Sequence, residues 1–135
     1  MYSDSAFRFA NFCLWPSQRL LLDDGLADES VLQRGEVGSA GWCAPELLRV
    51  RAERVRGTGD VESAANWFRR GIELARSQQA LAWELRCATG LARLLRTAGS
   101  KADAHAALAP VVRRFTQGFG ASDVREATRL LEQLR

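Results

Sequence analysis

Few side chains in this sequence can do chemistry, and their spacing does not suit it. The one histidine, His105, sits between alanines with no nucleophile motif beside it. A lone imidazole in such a setting is expected at the surface or half-buried, not as a catalytic base. The three cysteines, Cys13, Cys43 and Cys87, are odd in number and far apart. No two have the short spacing of a metal site or redox motif, so packed, reduced thiols are expected. Asp23-Asp24 could open a cation site, but Gly25 follows and no further ligand spacing supports one, so a turn is expected. The glycines between residues 35 and 41 are not followed by the lysine of a phosphate loop. The chain therefore reads as non-enzymatic, with no cofactor and no metal.

What remains is arginine. Residues 1–44 hold three arginines against six acids, while residues 45–135 hold sixteen basic residues against ten acids. Guanidinium forks pair with carboxylates and phosphates through two charge-assisted hydrogen bonds, so the basic half points to an acidic partner. Hydrophobic residues make up 47% of the chain, which excludes disorder of the whole. No apolar run approaches the ~20 residues of a membrane span. No basic segment followed by an apolar core opens the chain, so a cytoplasmic site is expected.

The elements that must position the arginines are helices. From Pro45, a residue suited to a first helical turn, apolar positions recur at helical spacing through Leu47, Leu48, Val50, Ala52 and Val55. Asp60 is an expected N-cap for a second helix carrying Ala64, Ala65, Phe68, Gly71 and Ile72. A third helix is expected over about residues 80–96 and a fourth over about 101–116. Ser100 and Asp103 show the spacing of a capping box, and Pro110 is expected to bend the fourth helix or mark a joint. Ser122 is expected to cap a fifth helix, with Val124, Ala127, Leu130, Leu131 and Leu134 as its apolar stripe. Before residue 44 the pattern differs. Phe7, Phe9, Asn11 and Cys13 alternate with their neighbours, Trp15-Pro16 breaks the run, and Arg19 to Leu22 returns toward the Asp24-Gly25 turn. That predicts a short β-hairpin over residues 1–25. A linker is expected over 26–43, with one helical turn near residues 28–33.

The helical half repeats itself. Gly59-Asp60-Val61-Glu62-Ser63-Ala64 is echoed forty residues later by Gly99-Ser100-Lys101-Ala102-Asp103-Ala104, and Ala52 and Val55 by Ala92 and Leu95. A helix–turn–helix unit at a fixed period marks a helical repeat array, and such arrays are usually binding scaffolds. The slots Ala52, Gly59, Ala64, Phe68 and Gly71, and Ala92, Gly99, Ala104, Leu108 and Val111, resemble the tetratricopeptide repeat. Leu48 and Ala88 stand where that family usually has tryptophan, and the period is longer than its own. The fold class expected is thus mainly all-α, an antiparallel helix-hairpin array of about five helices over residues 44–135.

Two narrower resemblances follow. Pro45-Glu46-Leu47-Leu48-Arg49, Trp67-Phe68-Arg69-Arg70-Gly71-Ile72, Trp83-Glu84-Leu85-Arg86 and Phe115-Thr116-Gln117-Gly118-Phe119 look like the C-terminal tail of large bacterial signal-transduction ATPases. Phe7-Arg8-Phe9, Phe12, Leu14, Pro16 and Arg19-Leu20-Leu21 resemble the leading hairpin of a response-regulator-type winged-helix domain. The resemblance implies two ends of a longer regulator, without the recognition helix or the ATPase loop between them.

The tetratricopeptide resemblance also implies a concave groove lined by first-helix positions one turn apart. These are Glu46, Arg49, Glu53 and Arg56, then Arg86, Thr89, Arg93 and Arg96, then Glu126, Arg129 and Gln133. The implied partner-binding residues are Arg49, Arg56, Arg86, Arg93, Arg96 and Arg129, and the implied partner is a protein or acidic peptide. The winged-helix-like start and the basic half keep DNA association open. Sequence-specific readout is not expected, because no element is supplied to enter a groove. Trp67, Phe68 and Trp83 could leave an apolar end face, which keeps a homodimer open.

Overall fold

The computed structural model describes residues 41–117 and 121–135, together with Gln33. A 3-10 turn at Gly41–Cys43 leads into five helices: α1 (Ala44–Gly57), α2 (Val61–Ser77), α3 (Leu81–Thr97), α4 (Lys101–Arg113) and α5 (Ser122–Gln133). There is no strand among the described residues. The expected N-terminal hairpin and linker, and Cys13 with them, lie outside the described residues. Gln33 is helical.

Short turns join α1 to α2, α2 to α3 and α3 to α4, so consecutive helices pack antiparallel. Each turn contains one residue with positive φ: Gly59 at 90°, Gln79 at 55° and Gly99 at 89°. At Gly99 the backbone closes with Gly99 N donating to Arg96 O at 3.0 Å and Ser100 N donating to Leu95 O at 2.8 Å. The same pair of bonds recurs at Gln79, from Gln79 N to Arg76 O and from Ala80 N to Ala75 O. Both are helix-ending motifs that satisfy the last carbonyls of a helix. A glycine takes that conformation freely, whereas a glutamine does so at a cost of about 1 kcal/mol.

Helix starts are mixed. Pro45 stands in the first turn of α1 as expected. The Asp60 carboxylate accepts the Ser63 N–H at 3.0 Å, and that bond holds its pKa below the ordinary carboxylate value. The expected capping box is absent: Ser100 is the N-cap of α4, but its side chain makes no capping bond. Ser122 is not a cap either. The cap position of α5 is Ala121, and Ser122 lies inside the first turn. α4 continues through the exposed Pro110 and ends at Arg113, a few residues before the expected 116.

α3 is the hub and touches the other four helices. On one side Ala52, Ala64, Ala65 and Phe68 from α1 and α2 pack against its Leu91 and Leu94. On the other, Leu108 and Val111 of α4 and Val124, Leu130 and Leu131 of α5 pack against its Leu85, Ala88 and Ala92. Ile72 and Leu95 touch both clusters and make the core continuous. Small residues set the spacing. A Cβ on Gly90 would lie 2.3 Å from the Phe68 ring, and one on Gly71 would lie 2.8 Å from Cys87 Sγ. Phe68 is fully buried against that bare backbone, which is worth about 1.5–3 kcal/mol in apolar area removed from water.

The three aromatics that could have left an apolar end face are largely covered. Phe68 and Trp83 are buried, and Trp67 is half-buried with the Arg70 guanidinium 4.5 Å and the Arg51 guanidinium 5.7 Å from its ring centre. Among the described residues the only exposed large hydrophobic is Val61, at 42%.

Candidate functional site

α1, α3 and α5 stand at every second place in the helix order, and α3 touches both of the others. Helical spacing of three and four residues keeps one row of side chains on one face of each helix. The three rows converge on a single surface, and all six arginines singled out from the sequence lie along it. Its two ends differ.

At the end nearest the start of α1 the charges are buried. Glu46 is 0% exposed, Arg49 4% and Arg86 6%. Arg49 grips Glu46 with both prongs, Nε to Oε2 at 2.9 Å and Nη2 to Oε1 at 3.0 Å. Arg86 Nη2 lies 2.7 Å from the same Oε1, and Arg86 Nε lies 3.8 Å from Asp123 Oδ2. One carboxylate of α1 is thus shared by arginines of α1 and α3, and the second arginine reaches on to α5. Thr89 is also buried, its hydroxyl donating to Leu85 O at 2.8 Å within α3. The space among Arg49, Glu53, Arg86, Arg93, Asp123 and Glu126 amounts to about 10 Å³, no more than a water molecule fills. Cys87 lies beneath this cluster, its thiol directed at Pro45 O at 3.5 Å. Burial, followed by the Glu46 charge, pushes the thiol up to about 12.

The other end is open. Between the C-terminal halves of α1 and α3 lies a cleft of about 380 Å³. Val61, Gly90, Leu94 and Ala98 give it apolar walls, and Arg56, Arg93 and Arg96 stand at its rim with Glu53. A second hollow of about 160 Å³ follows between α3 and α5, lined by Arg93, Arg96, Glu126, Arg129, Leu130 and Gln133. Arg56 Nε pairs with Glu53 Oε2 at 2.7 Å, Arg93 pairs with Glu126, and Arg96 donates to the Gln133 amide oxygen. Arg56, Arg96 and Arg129 are exposed, and Arg93 is 37% exposed. Four arginines face two glutamates here, and their guanidiniums reach solvent.

The six arginines therefore divide. Arg49 and Arg86 are committed inside the protein and offer a ligand no surface. Arg56, Arg93, Arg96 and Arg129 can present donor pairs to an incoming carboxylate. Val61, Gly90 and Leu94, which wall the cleft, were not singled out by the sequence. The available signal was the position of Val61 directly after the Asp60 cap, which keeps it at the helix end beside the groove. A second buried acid also escaped notice. Glu84 is 0% exposed and is held by Arg76 Nε at 3.1 Å and by Arg114 Nη1 at 2.6 Å. It ties α2, α3 and the end of α4 together, away from the groove. Among the described residues no group of three His, Cys, Asp or Glu side chains could hold a metal ion, and no helix is long and apolar enough to cross a membrane.

Comparison with protein-family models, with curated proteins and with solved structures gave no match.

Proposed function

We propose that the chain is a non-enzymatic protein–protein interaction module that binds an acidic peptide at the open end of the groove. The observation that carries this reading is the convergence of Arg56, Arg93, Arg96 and Arg129, from three separate helices, around unfilled space. Carboxylates spaced along an extended peptide would meet these guanidiniums in paired hydrogen bonds. The recurrence of one turn geometry at Gly59 and Gly99 supports a tetratricopeptide-like array as the scaffold. The resemblance to the tails of bacterial signal-transduction ATPases supports a place in cytoplasmic signalling or transcriptional regulation.

Fluorescence anisotropy with labelled Asp/Glu-rich peptides tests the proposal. Binding should weaken as salt rises, because the contacts are exposed ion pairs. The double variant Arg96→Glu, Arg129→Glu should lose it at least tenfold while its helical circular dichroism is unchanged. Unaltered affinity in that folded variant would overturn the reading. Tighter binding to duplex DNA than to any acidic peptide would replace it with DNA association.

A further inference from the structure

The cleft between α1 and α3 carries more information than charge. Val61, the one large hydrophobic exposed among the described residues, forms part of its wall. Leu94 and the backbone of Gly90 supply apolar surface beside it, and Ala98 closes the end. The volume of about 380 Å³ is within the range of small-ligand pockets, far more than a carboxylate needs. An apolar lining with a few charged groups set around it is the usual makeup of a ligand pocket. Arg56, Arg93 and Arg96 line the same cleft.

We infer that this cleft is a specificity pocket for one large apolar side chain, so that the ligand is an acidic peptide segment with an aliphatic or aromatic anchor between its carboxylates. The inference rests on the acidic-peptide reading and adds a sequence requirement to it. Charge complementarity selects the peptide: four arginines against two glutamates repel a basic segment and leave a neutral one without ion pairs. The anchor fixes the register. Withdrawing one leucine-sized side chain from water against Val61 and Leu94 tightens binding about tenfold or more. The neighbouring carboxylates, one residue or more to either side, then reach Arg56 across the cleft and Arg96 and Arg129 along it.

Three labelled peptides of equal length separate the possibilities: an acidic one with a central leucine, the same with serine in its place, and a neutral one with Gln for each acid and the central leucine kept. The proteins are the full chain, Ala98→Trp, which fills the cleft from an exposed position, and Val61→Asn, which makes its wall polar without adding charge. The expected result is that the acidic leucine peptide binds about tenfold or more tighter than the acidic serine peptide. Both variants should erase that difference and leave the serine peptide's affinity as it was. Equal affinity of the leucine and serine peptides for the unaltered chain would overturn the pocket and leave the acidic-peptide reading standing. No binding of either acidic peptide, or equal binding of the neutral leucine peptide, would overturn both.

Discussion

The two ends of the groove are built from one kind of side chain in one helical register, yet they are different devices. At the closed end Arg49 and Arg86 share the Glu46 carboxylate out of water. At the open end Arg56, Arg93, Arg96 and Arg129 line empty volume. Residue type and spacing are the same at both. What differs is how much of each charge is removed from solvent: Arg49 and Arg86 are buried, whereas Arg56, Arg96 and Arg129 are exposed. The lesson is that an arginine row in a helical array is not a binding site until burial has been assigned to each member.

Substitutions can break this comparison, and the closed end should break hardest. Glu46→Ala leaves two guanidiniums buried without their shared carboxylate, at an expected loss of about 3–5 kcal/mol in chemical denaturation. Replacing all three members by Leu or Met should restore most of that stability, since a buried ion cluster contributes little beyond well-packed apolar groups. A triple variant as unstable as Glu46→Ala would mean that the charges, not the space they fill, hold that end together. Gly90 lies at the boundary between the ends and lines both. Gly90→Ala drives a methyl into the Phe68 ring. The expected cost is about 1–3 kcal/mol, measured as a shift in urea midpoint at constant slope.

The dryness of the closed end can be read through Cys87. Its folded pKa is raised to about 12, whereas an unfolded thiol titrates near 8.5. Between those values the unfolded chain has released a proton that the folded chain retains. Stability is therefore whole below the unfolded value and falls as pH rises, by about 1.4 kcal/mol per unit for this group. Cys87→Ala should flatten that decline between pH 9 and 11, and an unchanged pH profile would mean that water reaches the thiol. The smallest effect belongs to the open end. Arg96→Glu should change stability by no more than about 0.5 kcal/mol, because its guanidinium is exposed and its partner is a neutral amide.

Much of the scaffold was legible in the sequence. Helical spacing, Pro45, Asp60 and the two glycine turns placed the first three helices to within a residue or so of where they lie. The turn at Gln79 was harder, because positive φ is normally announced by glycine and here a glutamine adopts it. Ser100 and Ser122 misled for a related reason: a hydroxyl near a helix start is compatible with capping but does not compel it. The forty-residue period put Arg56, Arg93, Arg96 and Arg129 in one row of equivalent helix positions, and these residues line two adjoining hollows. The roles of Arg49 and Arg86 were not legible. Their partner Glu46 is three residues from one and forty residues from the other, and no one-dimensional pattern shows that a carboxylate is sealed from water. Glu84 escaped for the same reason, with Arg76 on one neighbouring element and Arg114 beyond another.

The positive-φ turns at Gly59, Gln79 and Gly99 also govern how the molecule comes into being. The chain reverses direction soon after each helix is complete, so the loops that must close are short and their entropic cost is small. Folding should be fast, on the order of milliseconds or less, as for other architectures rich in local contacts. During synthesis α1 and α2 can pair as soon as they emerge, but Glu46 then waits for Arg86 until α3 arrives. The buried ion cluster is in that sense a latch closed late, and it reports that the third helix has docked.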